Sequence, residues 1–256
     1  MDSLSVFDMF KIGVGPSSSH TLGPWRAAQQ FMEELGDDLP RATKVTVDLY
    51  GSLAKTGKGH GTDIAVQMGL CGHDPTSVDR AAIDDCIDRI AAQKKLPLQE
   101  AQIEFDPQRD IHFHHEQQLP EHPNGLRFTA SLSDGTQRHA VFYSIGGGFI
   151  RREGESAAGN APAEPPFPIE TATDLLQHCD AESQSISEIV LRNELSWRSE
   201  AEVRTGLAAI RDTMFDSIQR GCRTDGVLPG GLNVQRRAAR MSRALLQGDC
   251  PAGSDE

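Results

Sequence analysis

The run GVGPSSSHTLGP at residues 13–24 sets the reading of this chain. Ser17, Ser18 and Ser19 stand in a row, followed by His20 and Thr21, between Gly15-Pro16 and Gly23-Pro24. Such side chains need hydrogen-bond partners wherever they are buried. Proline removes backbone donors and fixes φ, while glycine permits close backbone approach. Directly afterwards Leu22, Trp25, Ala28, Met32 and Leu35 share one helical face. Pro24 suits the first helical position, with Gly23 or Thr21 as cap. A hydroxyl-rich loop therefore feeds a helix N-terminus, where free N–H groups and the dipole favour a carboxylate or phosphate. A plainer reading, a serine-rich surface loop that only caps a helix, stands beside it.

Outward from this run, residues 44–50 (KVTVDLY) alternate, with Val45, Val47 and Leu49 on one face, and read as a strand. Residues 51–61 carry four glycines and three lysine or histidine side chains and read as a loop. Thr62 and Asp63 then precede IAVQMGL as the cap of a second helix. The opening theme is repeated: glycine-rich loop, imidazole (His60), hydroxyl and acid, helix N-terminus. The loop is a near miss to a nucleotide-binding phosphate loop, because Gly59 stands where the magnesium-binding Ser or Thr is required and the spacing is wrong. Val78, Ala82, Ile83, Cys86, Ile87 and Ile90 mark a third helix. Three strand patterns follow, around Ile111 and Phe113, around Leu126 to Leu132, and around Val141, Tyr143 and Ile145, with Asn124-Gly125 and Asp134-Gly135 as hairpin signals between them. The N-terminal part reads as an α+β domain: an antiparallel sheet with helices.

His112, His114, His115 and His122 invite a metal reading, but alternation sets His112 and His114 opposite Ile111 and Phe113, on an outer sheet face. No carboxylate in these strands completes a ligand set, so no metal ligand is assigned. Gly146-Gly147-Gly148 is either a close approach to a ligand or partner domain, or a tight turn. Residues 153–168, with Pro162, Pro165, Pro166 and Pro168 and almost nothing apolar, read as a linker. Beyond it the pattern is wholly helical. Thr171 or Thr173 caps one helix, Ser185 and Glu188 form a capping box for the next, and residues 200–220 form a long helix with Val203, Leu207, Ile210, Met214 and Ile218 as its buried stripe. A basic helix closes the pattern at residues 235–246.

The chain has 256 residues, 38% hydrophobic, enough for one large or two ordinary domains with packed cores. Its formal charge of −12 argues against nonspecific binding to nucleic acid or anionic membrane. No apolar run approaches membrane-spanning length, and the N-terminus has no secretory pattern. Five scattered cysteines without a CxxC fit a reducing, cytoplasmic setting better than a disulfide framework, and their spacing defines no zinc or cluster site. Cys86 reads as a small core residue.

GPSSSHTLGP, YGSLAKTGKGHGTD (residues 50–63), YSIGGGF (143–149), RNE (192–194) and GVLPGGLNVQRRA (226–238) together resemble the iron–sulfur L-serine dehydratases (L-serine ammonia-lyases) of the single-chain type. The resemblance implies a substrate-binding β domain over residues 1–152, a linker over 153–184, and over 185–256 the start of an all-α catalytic domain that is truncated here. It implies elimination of water and ammonia from L-serine to give pyruvate, in amino-acid degradation and gluconeogenesis, by a homodimer. A [4Fe–4S] cluster is then the Lewis acid, with ligands in the missing part of the catalytic domain, and pyridoxal phosphate is not used. A weakly acidic α proton needs a base near neutral pKa, so His60 and His20 are the candidates, His60 first. Ser17, Ser18, Ser19, Thr21, Thr62 and Asp63 are the candidate substrate-binding residues. The chain alone is expected to hold no cluster and to be inactive. Two other classes remain: a noncatalytic amino-acid-binding module or β subunit needing a separate α chain, and a Ser/His hydrolase, against which the absence of G-x-S-x-G counts.

Overall fold

The computed structural model describes residues 5–98, 103–155, 164–228 and 233–246. Along the chain a short α1 (Val6–Met9) precedes a π turn (Ser18–Leu22), α2 (Gly23–Leu35), a 3-10 turn (Gly36–Arg41) and β1 (Ala42–Tyr50). Then come α3 (Gly51–His60), α4 (Thr62–Leu70), α5 (Arg80–Gln93), α6 (Pro107–Asp110) and β2 (Ile111–His114). β3 (Gly125–Leu132), β4 (Gln137–Gly146) and β5 (Phe149–Arg152) complete a five-stranded sheet. Four helices follow: α7 (Ala172–Glu182), α8 (Ile186–Glu194), α9 (Glu200–Arg223) and α10 (Ala238–Leu246). The chain divides into one unit of Ile12–Glu155 with Leu228–Val234, and another of Met1–Lys11, Ser156–Val227 and Gln235–Glu256.

In the first unit the strand order is β2-β1-β3-β4-β5. The expected α+β architecture is present, but the sheet is mixed: β1 pairs antiparallel with β3 and parallel with β2. The connection from β1 to β2 contains α3, α4 and α5, which is the crossover a parallel pair requires. Asn124-Gly125 therefore opens β3 and closes no hairpin, whereas Asp134-Gly135 turns β3 into β4. One sheet face, with Val45, Val47, Leu49, Leu126, Phe128, Ala130, Ala140 and Phe142, is buried with α2, α4 and α5 in a single core. On β4 the core residues are Ala140 and Phe142, the opposite phase from the expected Val141, Tyr143 and Ile145, and Ile145 is exposed. Tyr143 is still fully buried, on the outer face beneath the Arg151 guanidinium.

The periodic face of α2 is buried as expected, and Phe31 stacks on Phe128 at 5.1 Å between centroids. Full burial of each such side chain contributes about 1.5–3 kcal/mol of transfer free energy. α2 and α4 cross at Gly69, where a Cβ would meet the Trp25 carbonyl oxygen. The stretch 51–60, read as a loop, is helix α3, and its left-handed end at Gly61 begins α4. Its three interior and terminal glycines lower helix propensity, and packing of Leu53, Ala54 and Gly57 in the core overrides that preference. The triple glycine is the β4–β5 turn, with φ of 101°, 58° and 75° at Gly146, Gly147 and Gly148, a region that glycine enters freely.

In the second unit, Thr171 and Ser185 cap α7 and α8 through capping boxes, as expected. The RNE run is structural. Asn193 clamps both backbone groups of Phe167, and Glu194 accepts from Ser5 Oγ at 2.9 Å and the Val6 amide at 2.6 Å. Arg198 closes that cluster on Glu194 at 2.9 Å. On α9 only Val203 is buried among the described residues, while Leu207, Met214 and Ile218 are exposed. α9 also runs through Gly221, and α10 begins three residues after the expected start at 235. Residues 156–163 of the expected linker, 229–232 of the GVLPGG run, and Cys250 lie outside the described residues.

Candidate active site

The two glycine–imidazole–hydroxyl stretches meet in the first unit. Ser17, in extended backbone, caps the π turn by accepting from the His20 amide at 3.2 Å. The hydroxyl run is thus itself a helical turn, one turn ahead of the expected helix start. It stacks onto α2, whose first turn holds Pro24, as expected of a residue with no N–H to lose. The His20 and His60 ring centroids are 4.9 Å apart. Two reciprocal hydrogen bonds lock the stretches together: Thr21 Oγ1 donates to the His60 carbonyl at 2.9 Å, and Thr62 Oγ1 to the His20 carbonyl at 2.5 Å. Thr21 and Thr62 are both buried, so these hydroxyls serve the scaffold rather than open surface.

The two imidazoles are held differently. His20 Nδ1 lies 3.0 Å from Ser19 Oγ and Nε2 lies 2.9 Å from Ser52 Oγ, so both ring nitrogens are engaged by hydroxyls. Burial and then the neighbouring His60 pull His20 below its ordinary pKa. His60 Nδ1 is 2.9 Å from the Thr56 carbonyl, which can only accept, so Nδ1 carries the hydrogen. In the neutral ring Nε2 is then a bare lone pair. Ser17 Oγ and Ser19 Oγ share a hydrogen bond at 3.3 Å, while Ser18 is exposed. Asp63 sits in the first turn of α4, and burial pushes its carboxyl above the usual range against opposing hydrogen bonds from the amides of Ile64 and Asp63 and the charge of Lys58.

Two contributors were missed by the sequence reading. Ser52, in the first turn of α3, orients His20. Ser144, fully buried on β4, donates to the Ser19 carbonyl at 2.7 Å and pins the hydroxyl run to the sheet. That contact requires glycine at 23, where a Cβ would stand 2.0 Å from Ser144 Oγ. Both serines lie inside the quoted motifs, but a lone serine in a strand or helix carries no signal of its partner.

A second group of ligating atoms lies on the outer sheet face. Asp48 Oδ1 is 3.0 Å from His112 Nδ1 and 2.7 Å from His114 Nε2, and all three atoms lie within 4.8 Å of one another. Arg127 binds the other oxygen, Oδ2, at 3.0 Å. Burial alone would raise the Asp48 pKa, but its contacts with His114, Arg127 and His112 outweigh burial and lower it. The carboxylate judged absent from the strands of His112 and His114 comes from β1, where Asp48 is in register with His112. His115 and His122 do not join this group. Of the cysteines, each unit holds two among the described residues, Cys71 and Cys86 in one, Cys179 and Cys222 in the other. A cluster needs three or four convergent thiolates, so the described residues do not fit one. No described helix is long and apolar enough to cross a membrane.

A family model for the serine dehydratase beta chain matches residues 5–155. The chain is 44% identical over 251 residues to L-serine dehydratase 2 of Escherichia coli K12, covering 96% of this chain and 55% of that protein. It is 40% identical over 248 residues to an L-serine dehydratase of Haemophilus influenzae (94% and 54%) and 43% identical over 251 residues to one of Mycobacterium bovis (92% and 52%). The chain therefore spans about half the length of the curated relatives it matches.

Proposed function

The chain belongs to the serine dehydratase β-chain family, and on that premise we propose that it carries the substrate-handling part of an L-serine ammonia-lyase. In that reaction serine loses its α proton and β-hydroxyl to give aminoacrylate and water, and aminoacrylate hydrolyses to pyruvate and ammonia. On this reading residues 1–152 form the substrate domain and residues 185–256 the beginning of a helical catalytic domain. The relatives' names supply the substrate, L-serine.

The carrying observation is the imidazole pair. His60 has its Nδ1 hydrogen committed to the Thr56 carbonyl and its Nε2 lone pair left for a proton. It is the base that takes the α proton. His20, held on both nitrogens by Ser19 and Ser52 and depressed by burial, stays neutral and positions the substrate. Ser17, Ser18 and Ser19 offer hydroxyls, and the π turn presents its first amides, so the substrate carboxylate has donors. Asp63 faces the substrate ammonium, and Thr21 and Thr62 hold the two stretches in register.

The resemblance assigns loss of the β-hydroxyl to a [4Fe–4S] Lewis acid. The described cysteines do not fit that cluster, and no step through it is derived from these residues. The match to a serine dehydratase beta chain supports a second reading, an amino-acid-binding β subunit that acts with a separate α chain.

The test is serine-dependent pyruvate formation and exchange of the Cα hydrogen in D2O, both measured on the assembled dehydratase. His60→Gln is expected to abolish both, and His20→Gln to weaken both less. Full Cα exchange in His60→Gln would remove His60 as the base. Serine binding with neither exchange nor turnover in the unsubstituted protein would favour the binding-subunit reading.

A further inference from the structure

We propose that Asp48, His112 and His114 form a binding site for a divalent transition-metal ion, with Zn²⁺ as the representative, on the outer face of the sheet. The proposal is independent of the serine reading, since none of these residues touches the His20–His60 pair.

The donor set is two imidazole nitrogens and one carboxylate oxygen. That set suits Zn²⁺ or a neighbouring first-row ion and leaves a coordination position for water, whereas Ca²⁺ and Mg²⁺ prefer all-oxygen shells. The parallel β1–β2 pairing puts Asp48 beside His112, and alternation carries His114 to the same face two residues on.

The proton arrangement at His112 is the decisive feature. Its Nε2 is 2.8 Å from the Arg109 carbonyl, which can only accept, so Nε2 carries the hydrogen. In a neutral ring Nδ1 is then a lone pair, and it points at the Asp48 carboxylate oxygen. Two acceptors facing each other repel unless a positive centre lies between them, either a second proton on the ring or a metal ion. Donation of the remote ring N–H to a backbone carbonyl is also how metal-bound histidines are commonly oriented.

The surroundings hold these groups in place. Arg127 binds Asp48 Oδ2 through both Nε and Nη2, leaving Oδ1 as a single ligand atom. His114 stacks on the buried Tyr50 ring at 4.7 Å, which fixes its plane. Bonds of about 2.0–2.1 Å to a tetrahedral ion separate its ligands by roughly 3.3–3.4 Å. The contacts to Oδ1, at 2.7 and 3.0 Å, must therefore open by roughly 0.3–0.7 Å. His112 is half-exposed, so the ion has a path from solvent. The ion would join the short edge strand β2 to β1 immediately before α3.

The chain is freed of metal with chelator, its thiols are alkylated, and it is titrated with Zn²⁺ alone against a chromophoric competitor at pH 7.5, and separately with Co²⁺. One ion per chain is expected, with a Co²⁺ spectrum of nitrogen and oxygen ligation and no thiolate charge-transfer band. His112→Ala and Asp48→Asn should each weaken Zn²⁺ at least tenfold, with circular dichroism verifying the fold. His112→Ala, at a half-exposed position, is the variant that keeps the test valid if Asp48→Asn unfolds. Zn²⁺ binding unchanged in a His112→Ala/His114→Ala variant, or no binding to the intact alkylated chain, overturns the proposal. So does a nitrogen-NMR signature of a doubly protonated His112 that persists under saturating Zn²⁺.

Discussion

The first unit holds two histidine pairs, and their surroundings differ. His20 and His60 meet through hydroxyls and backbone carbonyls, and among the described residues no carboxylate bonds to either ring. His112 and His114 close on one oxygen of Asp48, whose charge Arg127 shares. The ring partners of His20 and His60 are hydroxyls and a carbonyl, which carry no fixed charge. An imidazole on a carboxylate is built around a positive centre. On the two proposals above, the same residue type serves proton transfer in one place and cation binding in the other, and the partners decide which.

The largest expected effect separates the pairs by activity. His60→Gln in the assembled dehydratase should lower kcat by about 10²–10⁴-fold, the usual worth of a general base. His112→Gln should leave kcat within a factor of about two, because the outer face holds no reacting atom. A comparable loss in both variants would break the division. Next comes the frame of the His20 side. Gly23→Ala drives a Cβ into Ser144, and overpacking of this kind costs about 1–3 kcal/mol in a urea melt. Adding Ser144→Ala removes the nearest atom but leaves its Cβ 2.8 Å away, so part of the loss should return as coupling in a double-mutant cycle.

These two sites were unequally legible in the sequence. The first lies in two contiguous runs, residues 17–21 and 57–63, whose shared pattern of glycine, imidazole and cap is legible in the sequence and which the fold brings together. Its supports, Ser52 and Ser144, were not readable, because each acts through a fold contact and neither has a periodic or motif signal. The second site depends on a strand pairing. Alternation put His112 and His114 on one outer face, but their carboxylate stands 64 residues before His112, on β1. Only the parallel pairing of β1 with β2 brings it there, and hairpin signals had pointed to an antiparallel sheet. The helix at Gly51–His60 was likewise hidden, since local composition favoured a loop and core packing decided otherwise.

A smaller effect concerns pH. The folded pKa of His20 is lowered from 6.5, by burial first and by His60 second. The unfolded chain then holds this proton more tightly than the folded one. Above about 6.5 the residue adds no penalty; as pH falls through that value toward the lower folded pKa, stability is lost, and below the folded pKa the loss is complete. Urea melts from pH 8 to pH 5 should show a shallower decline for His20→Gln than for the unsubstituted chain. An equal or steeper decline would mean that His20 is not depressed. The smallest effect is at Ser18, the exposed member of the hydroxyl run. Ser18→Ala should change stability by less than about 0.5 kcal/mol, while any loss of serine affinity would mark its hydroxyl as a substrate contact.

The central claim is that a serine-sized amino acid binds between the two glycine–imidazole stretches. Histidine-labelled NMR of this chain titrated with L-serine tests it most directly, with D-serine as the control. The account predicts saturable movement of the His20 and His60 ring signals with L-serine, weaker movement with D-serine, and none at His112 or His114. Ring signals of His20 and His60 that stay fixed while L-serine binds elsewhere, or that respond equally to both enantiomers, would contradict it.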